Sequence, residues 1–193
     1  NFLFEAVDSL GSKSEYSEVF SVDTKNPELS NGSLKGNVNI RDNIGYVSGS
    51  LELNADTLDL ESGVGSIEIL KNSQVVGTSL PFTIKDSGSY EVRVTDNVGH
   101  SVTKTLKDLT NVDVDSILVD NFAPVVKASI EGSDVKNTWY KDTAKLVLKS
   151  SDVSPLKNVE ATANGVDLGK GVSTDTTNKI EVNLENYVDN NGL

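Results

Sequence analysis

Apolar and polar residues alternate along this chain in short stretches, and polar turn residues interrupt each stretch after a few positions. Val38/Ile40, Val47/Leu51/Leu53, Ile67/Ile69, Phe82/Ile84, Tyr90/Val92/Val94 and Val102/Leu106 fall at even spacing. A period of two puts such side chains on one face of a strand, so each stretch predicts a strand with one buried face. The pattern returns at Val126/Ala128/Ile130, Leu146/Leu148, Val159/Ala161 and Ile180/Val182/Leu184. Turn residues separate the runs every 8–12 residues or so, the rhythm of a β-sandwich. Hairpin turns are expected at Lys71-Asn72-Ser73 and Asn164-Gly165. Residues 106–118, LKDLTNVDVDSIL, break the alternation and are expected to form an extended connection, with a helical turn or an extra edge strand as the alternatives.

A second regularity has a longer period. A hydrophobic approach followed by Asp-x-x-Gly occurs at Asp8/Gly11, Asp96/Gly99 and Asp189/Gly192. The first two corners are followed by Val-Asp-x-x-x-Pro, at Val22-Asp23…Pro27 and Val119-Asp120…Pro124. Two units of nearly equal length, about 70 residues each, therefore run from such a junction to the next corner. Their interiors also align: Leu51–Val76 and Leu146–Leu168 each carry an alternating strand, a turn with Asp56 or Asp152, a Ser-Gly or Ser-Pro step and a second strand. At each corner glycine is expected at positive φ, and the preceding Asp is expected to accept N–H groups of its own turn. The junction prolines stand where a strand begins, where the missing N–H does no harm and the fixed φ stiffens the link.

Composition narrows the function classes. With 193 residues, the chain makes one large or two small domains. It contains no Cys, which excludes disulfides and thiolate chemistry, and no Met, so it is expected to be processed or cut from something longer. A net charge of −12 disfavours nucleic acid and anionic membranes, and no apolar run is long enough to span a bilayer. The same acidity raises the prospect that some carboxylates collect divalent cations.

Tyr90-x-Val92-x-Val94-x-Asp96-Asn97-x-Gly99, a strand, and then Val119-Asp120-x-x-x-Pro124 resemble the tandem bacterial immunoglobulin-like repeats of cell-surface proteins and adhesins. Asn137–Asp152, NTWYKDTAKLVLKSSD, looks like that family's Trp-led second strand, whereas the first unit has no Trp. The resemblance implies tandem immunoglobulin-like β-sandwich domains. Residues 1–22 would be the C-terminal strands of a preceding repeat, residues 23–118 one sandwich, and residues 119–193 a second lacking its last strand. The junctions are also similar, more weakly, to cadherin repeats, which share calcium between domains. That likeness makes Asp8, Asp23, Asn26, Asp96, Asn97, Asp120 and Asn121 candidate calcium ligands, because calcium takes six to eight oxygens. Asp96 and Asp120, or Asp8 and Asp23, would then lie near one domain end. Asn111–Ser116, with its alternating carboxylates, fits a ligand strand or a solvated face equally well.

Catalytic signatures are lacking. The lone His100 follows a turn glycine without a triad context and is expected at the surface. The Asp59/Glu61 pair has nothing to set it apart from an acidic surface, and Gly63–Ile69 lacks the ending of a phosphate loop. Trp139 and Tyr140 could stack on carbohydrate, though such a pair more often packs in a core. Asn31-Gly32-Ser33 is a formal glycosylation sequon, and a Lys–Asn isopeptide crosslink could stand in for disulfides. The expectation is a non-enzymatic spacer in the extracellular part of a bacterial surface protein, joined to further repeats of the same chain. Alternatives are a surface-layer subunit, an accessory region of a secreted hydrolase or protease, and a ligand-binding adhesin domain. Head-to-tail self-association, with residues 1–23 completing the second unit of a neighbour, is a further possibility.

Overall fold

The structure of the chain, a computed structural model, describes residues 2–132, 134–136, 139–140, 144–163, 165–171 and 176–183. It is an all-β protein with several sheets, consistent with a β-sandwich. Strands β1 (Phe2–Val7) and β2 (Lys13–Glu18) form a hairpin. Next come β3 (Glu28–Lys35), β4 (Val38–Arg41), β5 (Ile44–Val47), β6 (Leu51–Leu58), β7 (Val64–Lys71) and β8 (Gln74–Gly77). They are followed by β9 (Phe82–Ile84), β10 (Tyr90–Asp96), β11 (Ser101–Thr105), a short helix α1 (Leu106–Thr110) and β12 (Ser116–Val119). The remaining strands are β13 (Val125–Glu131), β14 (Asp134–Lys136), β15 (Trp139–Tyr140), β16 (Lys145–Ser151), β17 (Val159–Ala163), β18 (Val166–Gly171) and β19 (Thr177–Asn183).

The chain divides into two compact units. Asn1–Gly36, Asp42–Ile44 and Ser50–Ile117 make the first, and Asn37–Arg41, Gly45–Gly49 and Leu118–Leu193 the second. In the first unit one sheet has the order β3-β6-β9 and another the order β11-β10-β7-β8. The period-two pattern explains the core. Leu51 and Leu53 on β6, Ile84 on β9, Ile69 on β7, and Tyr90, Val92 and Val94 on β10 are all buried. Each such side chain contributes roughly 1.5–3 kcal/mol when taken fully out of water. The β7–β8 turn has Asn72 at φ 49° and Ser73 at φ 66°. Two positive φ values in a two-residue loop match the right-handed twist of the strands it joins, as the hairpin signal required.

At residues 106–118 the alternatives to an extended connection are what form, a helical turn followed by a strand, and local chemistry gives the reason. Thr105 caps the helix by accepting the Asp108 N–H at 3.2 Å, and its hydroxyl donates to Asp108 Oδ2 at 2.7 Å. Asn111 ends it in the left-handed region at φ 56°. Leu106 and Leu109, three apart, point to one side and are buried. The strand pattern assigned Leu106 to β11, but it is the first helical residue. α1 packs on β3 where a register shift between Ser30 and Ser33 bends that strand. Gly32 lies at this contact, and a Cβ there would stand 2.4 Å from Leu109 Cγ.

In the second unit β13-β16-β19 form one sheet, β17-β18 a second and β14-β15 a third. Leu146 and Leu148 pair with Val182 and Ile180 across β16 and β19. Together with Val159 and Leu168 they pack against the buried cluster of Ala161, Ile180 and Val182. Strand β13 differs from its expected half-buried pattern. It lies at the edge of its sheet and all seven of its residues are exposed, including Val126, Ala128 and Ile130. The β1–β2 hairpin is likewise exposed throughout, with Phe2 stacked on Phe4 and Phe20 at ring distances of 6.4 and 5.1 Å.

Filling the β3–α1 contact is expected to destabilise the first unit. Gly32→Ala should cost about 1–3 kcal/mol in urea unfolding, because Leu109 or the strand must move. The exposed neighbour Ser33→Ala should stay within about 0.5 kcal/mol of the parent.

Candidate functional site

The recurring Asp closes turns in the way its spacing suggested. Asp96 Oδ1 accepts the N–H groups of Val98, Gly99 and His100 at 2.9, 2.6 and 2.9 Å, and Gly99 sits at φ 104°. Asp8 Oδ1 accepts those of Leu10 and Ser12, with Gly11 at φ 84°. Asp189 and Gly192 lie outside the described residues. Asp59, which the sequence offered only as part of an acidic pair, closes a similar turn with one more residue before its glycine. Its Oδ1 accepts the N–H groups of Glu61, Ser62 and Gly63 at 3.1, 2.8 and 2.7 Å.

In the first unit three segments converge: the junction at residues 23–25, the loop at residues 59–63 and the corner at residues 96–100. Glu61 holds the junction, accepting the Thr24 N–H at 3.0 Å through Oε2 and pairing with Lys25 Nζ at 2.6 Å through Oε1. Asn97 holds the same loop, donating from Nδ2 to the carbonyls of Ser62 and Gly63 at 2.8 and 3.2 Å. Between these ties lie Asp23, Asp96 and His100. One ligating atom from each can be chosen so that all lie within 4.8 Å of one another. His100 Nδ1 is 3.0 Å from Asp96 Oδ2 and 4.0 Å from Asp23 Oδ1. The Asp96 side chain is fully buried and that of Asp23 is 4% exposed, while the imidazole is 39% exposed.

Their electrostatics follow from their partners. Burial pushes the Asp96 carboxyl up, but the N–H groups of Val98, Gly99 and His100 and the His100 ring outweigh it and hold it below the ordinary carboxylate value. The Asp23 carboxyl is lowered by the adjacent Ser62 hydroxyl and then by the Lys25 N–H, against a smaller opposing effect of burial. Ser62 lies close enough to act on Asp23 without bonding it in good geometry: Ser62 Oγ and Asp23 Oδ2 are both buried with no hydrogen-bond partner.

The second junction repeats this arrangement within the second unit. Asp23 Oδ1 accepts the N–H of Lys25, two residues on, at 3.0 Å; Asp120 Oδ1 accepts that of Phe122 at 3.1 Å. Ser154 Oγ, from the Ser-Pro step that aligns with Ser62-Gly63, donates to Asp120 Oδ2 at 2.5 Å. The Asp120 carboxyl is lowered by this hydroxyl first and by the Phe122 N–H next. Asn121 Oδ1 accepts the Gly49 N–H at 2.7 Å.

Of the seven candidate calcium ligands, the structure brings Asp23 and Asp96 together. Asp8 serves its own turn, Asn97 donates to the loop carbonyls, and Asn26 lines a hollow with Lys25, Glu28 and residues 58–61. Both Asp120 oxygens already have donors. Calcium requires six to eight oxygens, whereas the cluster found among the described residues includes an imidazole nitrogen; this donor set does not fit calcium. Trp139 and Tyr140 form β15, and their side chains lie outside the described residues. Sequence reasoning placed His100 at the surface, took Asp59 and Glu61 for an acidic surface and gave Ser62 no role. The available signal was His directly after the positive-φ glycine, four residues beyond an Asp, which turns the ring back onto the carboxylate.

Compared with protein-family models, curated proteins and solved structures, the chain matches none.

Asp8, Asp23, Asp96 and Asp120 are all held below the ordinary carboxylate value. The unfolded chain therefore takes up protons at a higher pH than the folded one. The stabilisation is complete above the unfolded value of about 3.9 and is lost as pH falls through the lower folded values. Urea midpoints measured downward from about pH 6 should fall on the acid side. Asp120→Asn should flatten that limb for the second unit while lowering its stability at neutral pH.

Proposed function

We propose that this chain is a non-catalytic spacer built from tandem immunoglobulin-like domains, part of the extracellular region of a bacterial surface protein. The observation that carries this reading is the repeated junction. Each Val-Asp-x-x-x-Pro segment folds into the same Asp turn, and each junction carboxylate lies beside a serine from the corresponding loop of its own unit. Such a joint restrains the chain where it enters each unit, which suits a stalk that carries tension. Pro27, buried just ahead of β3, adds its fixed φ to that restraint.

Two features of the first unit support the immunoglobulin-like assignment. The orders β3-β6-β9 and β11-β10-β7-β8 can be laid onto the A-B-E and G-F-C-C′ sheets of that architecture. Tyr90, at the start of the strand that would be F, donates its hydroxyl to the Asp86 carbonyl at 2.8 Å. The bond is of the kind made by the tyrosine corner where strand E passes to strand F in that architecture. The net charge of −12 suits an exposed, soluble repeat, and further repeats of the same chain are its expected neighbours.

Single-molecule pulling on the full chain tests the mechanical role. Two separate unfolding events are expected, and Asp120→Ala should lower the force of one of them. It removes the acceptor of the Phe122 N–H and the Ser154 hydroxyl, a loss of about 1–3 kcal/mol. Saturable binding on a glycan array, abolished in a folded Trp139→Ala variant, would instead make the chain an adhesin. Unfolding at negligible force in both units would also overturn the spacer role.

A further inference from the structure

We propose that the first unit binds one divalent transition-metal ion of the zinc class through Asp23, Asp96 and His100, fixing the junction segment to the β10–β11 corner. The inference rests on the cluster itself and does not depend on the spacer reading.

Three observations carry it. The first is an orphaned donor. Asp23 has a side chain 4% exposed, and although Oδ1 takes the Lys25 N–H, Oδ2 is buried without a partner. A buried carboxylate oxygen left unpaired is costly, and native structures usually provide it with a donor or an ion. The second junction supplies an internal comparison. There the corresponding serine donates to the corresponding oxygen and Asp120 is fully satisfied. At the first junction Oδ2 lies beside the Ser62 hydroxyl, and Oδ1 is 4.0 Å from the imidazole, so an ion at the cluster would engage a carboxylate whose bonds are only half made.

The second observation is geometric. Ligands at about 2.0–2.2 Å around a tetrahedral ion stand roughly 3.3 Å from one another. The His100 Nδ1 to Asp96 Oδ2 distance of 3.0 Å and the Nδ1 to Asp23 Oδ1 distance of 4.0 Å bracket that value. His100, the most exposed of the three, is the member with room to adjust. The third observation is chemical. Two buried carboxylates carry a negative charge that a dication offsets. Carboxylate together with imidazole suits zinc and its neighbours, whereas calcium and magnesium favour oxygen alone. Binding through Nδ1 leaves the proton on Nε2. Water can complete the coordination.

The test uses the full chain without a histidine tag. Because the chain has one His, its imidazole C–H signals in proton NMR report on this site alone. Zinc is titrated at neutral pH by calorimetry, with calcium as the control ion. One equivalent of zinc should bind, shift those signals and raise the melting midpoint. His100→Gln, confirmed as folded by circular dichroism, should weaken zinc binding at least tenfold, and Asp23→Asn should do the same. The proposal is overturned if zinc is not taken up stoichiometrically, if His100→Gln leaves the affinity unchanged, or if calcium binds the site as tightly as zinc.

Discussion

A carboxylate that gathers the N–H groups of its own turn is the interaction on which the ends of β1, β6 and β10, and with them the candidate site, depend. Where a strand stops, consecutive backbone donors lose their ladder partners, and leaving them buried and unpaired is costly. Asp96 and Asp59 each solve this with one oxygen that accepts three N–H groups, and Asp8 accepts two in the same way. Gly99 and Gly11, at positive φ, let the chain reverse beneath the carboxylate. The turn thus consumes one oxygen and leaves the other for a second task.

That second oxygen differentiates the sites. Asp120 directs it to the Ser154 hydroxyl, and the junction is closed. Asp96 directs it to His100. Asp23 leaves it buried and unpaired beside Ser62. A single structural device, repeated along the chain, therefore yields a satisfied joint in one unit and a polar cluster poised for a ligand in the other. A spacer and a metal-dependent clamp are compatible on these terms: the ion would tighten the segment at residues 23–25 against the β10–β11 corner.

Much of the fold was legible because burial follows a period of two. Tyr90, Val92 and Val94 are buried as their alternation required, and Leu51 and Leu53 line the same core. The Asn72–Ser73 hairpin was legible for an equally local reason, since few residue pairs tolerate two positive φ values. Helix α1 stood only as an alternative although Thr105-x-x-Asp108 is a capping pattern, because five residues are too few to establish a helical period. Strand β13 looked half-buried by pattern, but whether an apolar residue is covered depends on what lies over its sheet.

The sequence by itself determined the corners, the junctions and their repetition, because an Asp turn and a proline act within a few residues. It also determined the all-β class, through alternation that only a pleated strand can satisfy. Only the tertiary structure decided which of the many carboxylates meet. Asp23 and Asp96 are far apart along the chain, and β7 and β10 must pair before the loop at residues 59–63 can hold both. His100 read alone is a surface residue. It becomes a candidate ligand because folding delivers a second buried carboxylate to its other side.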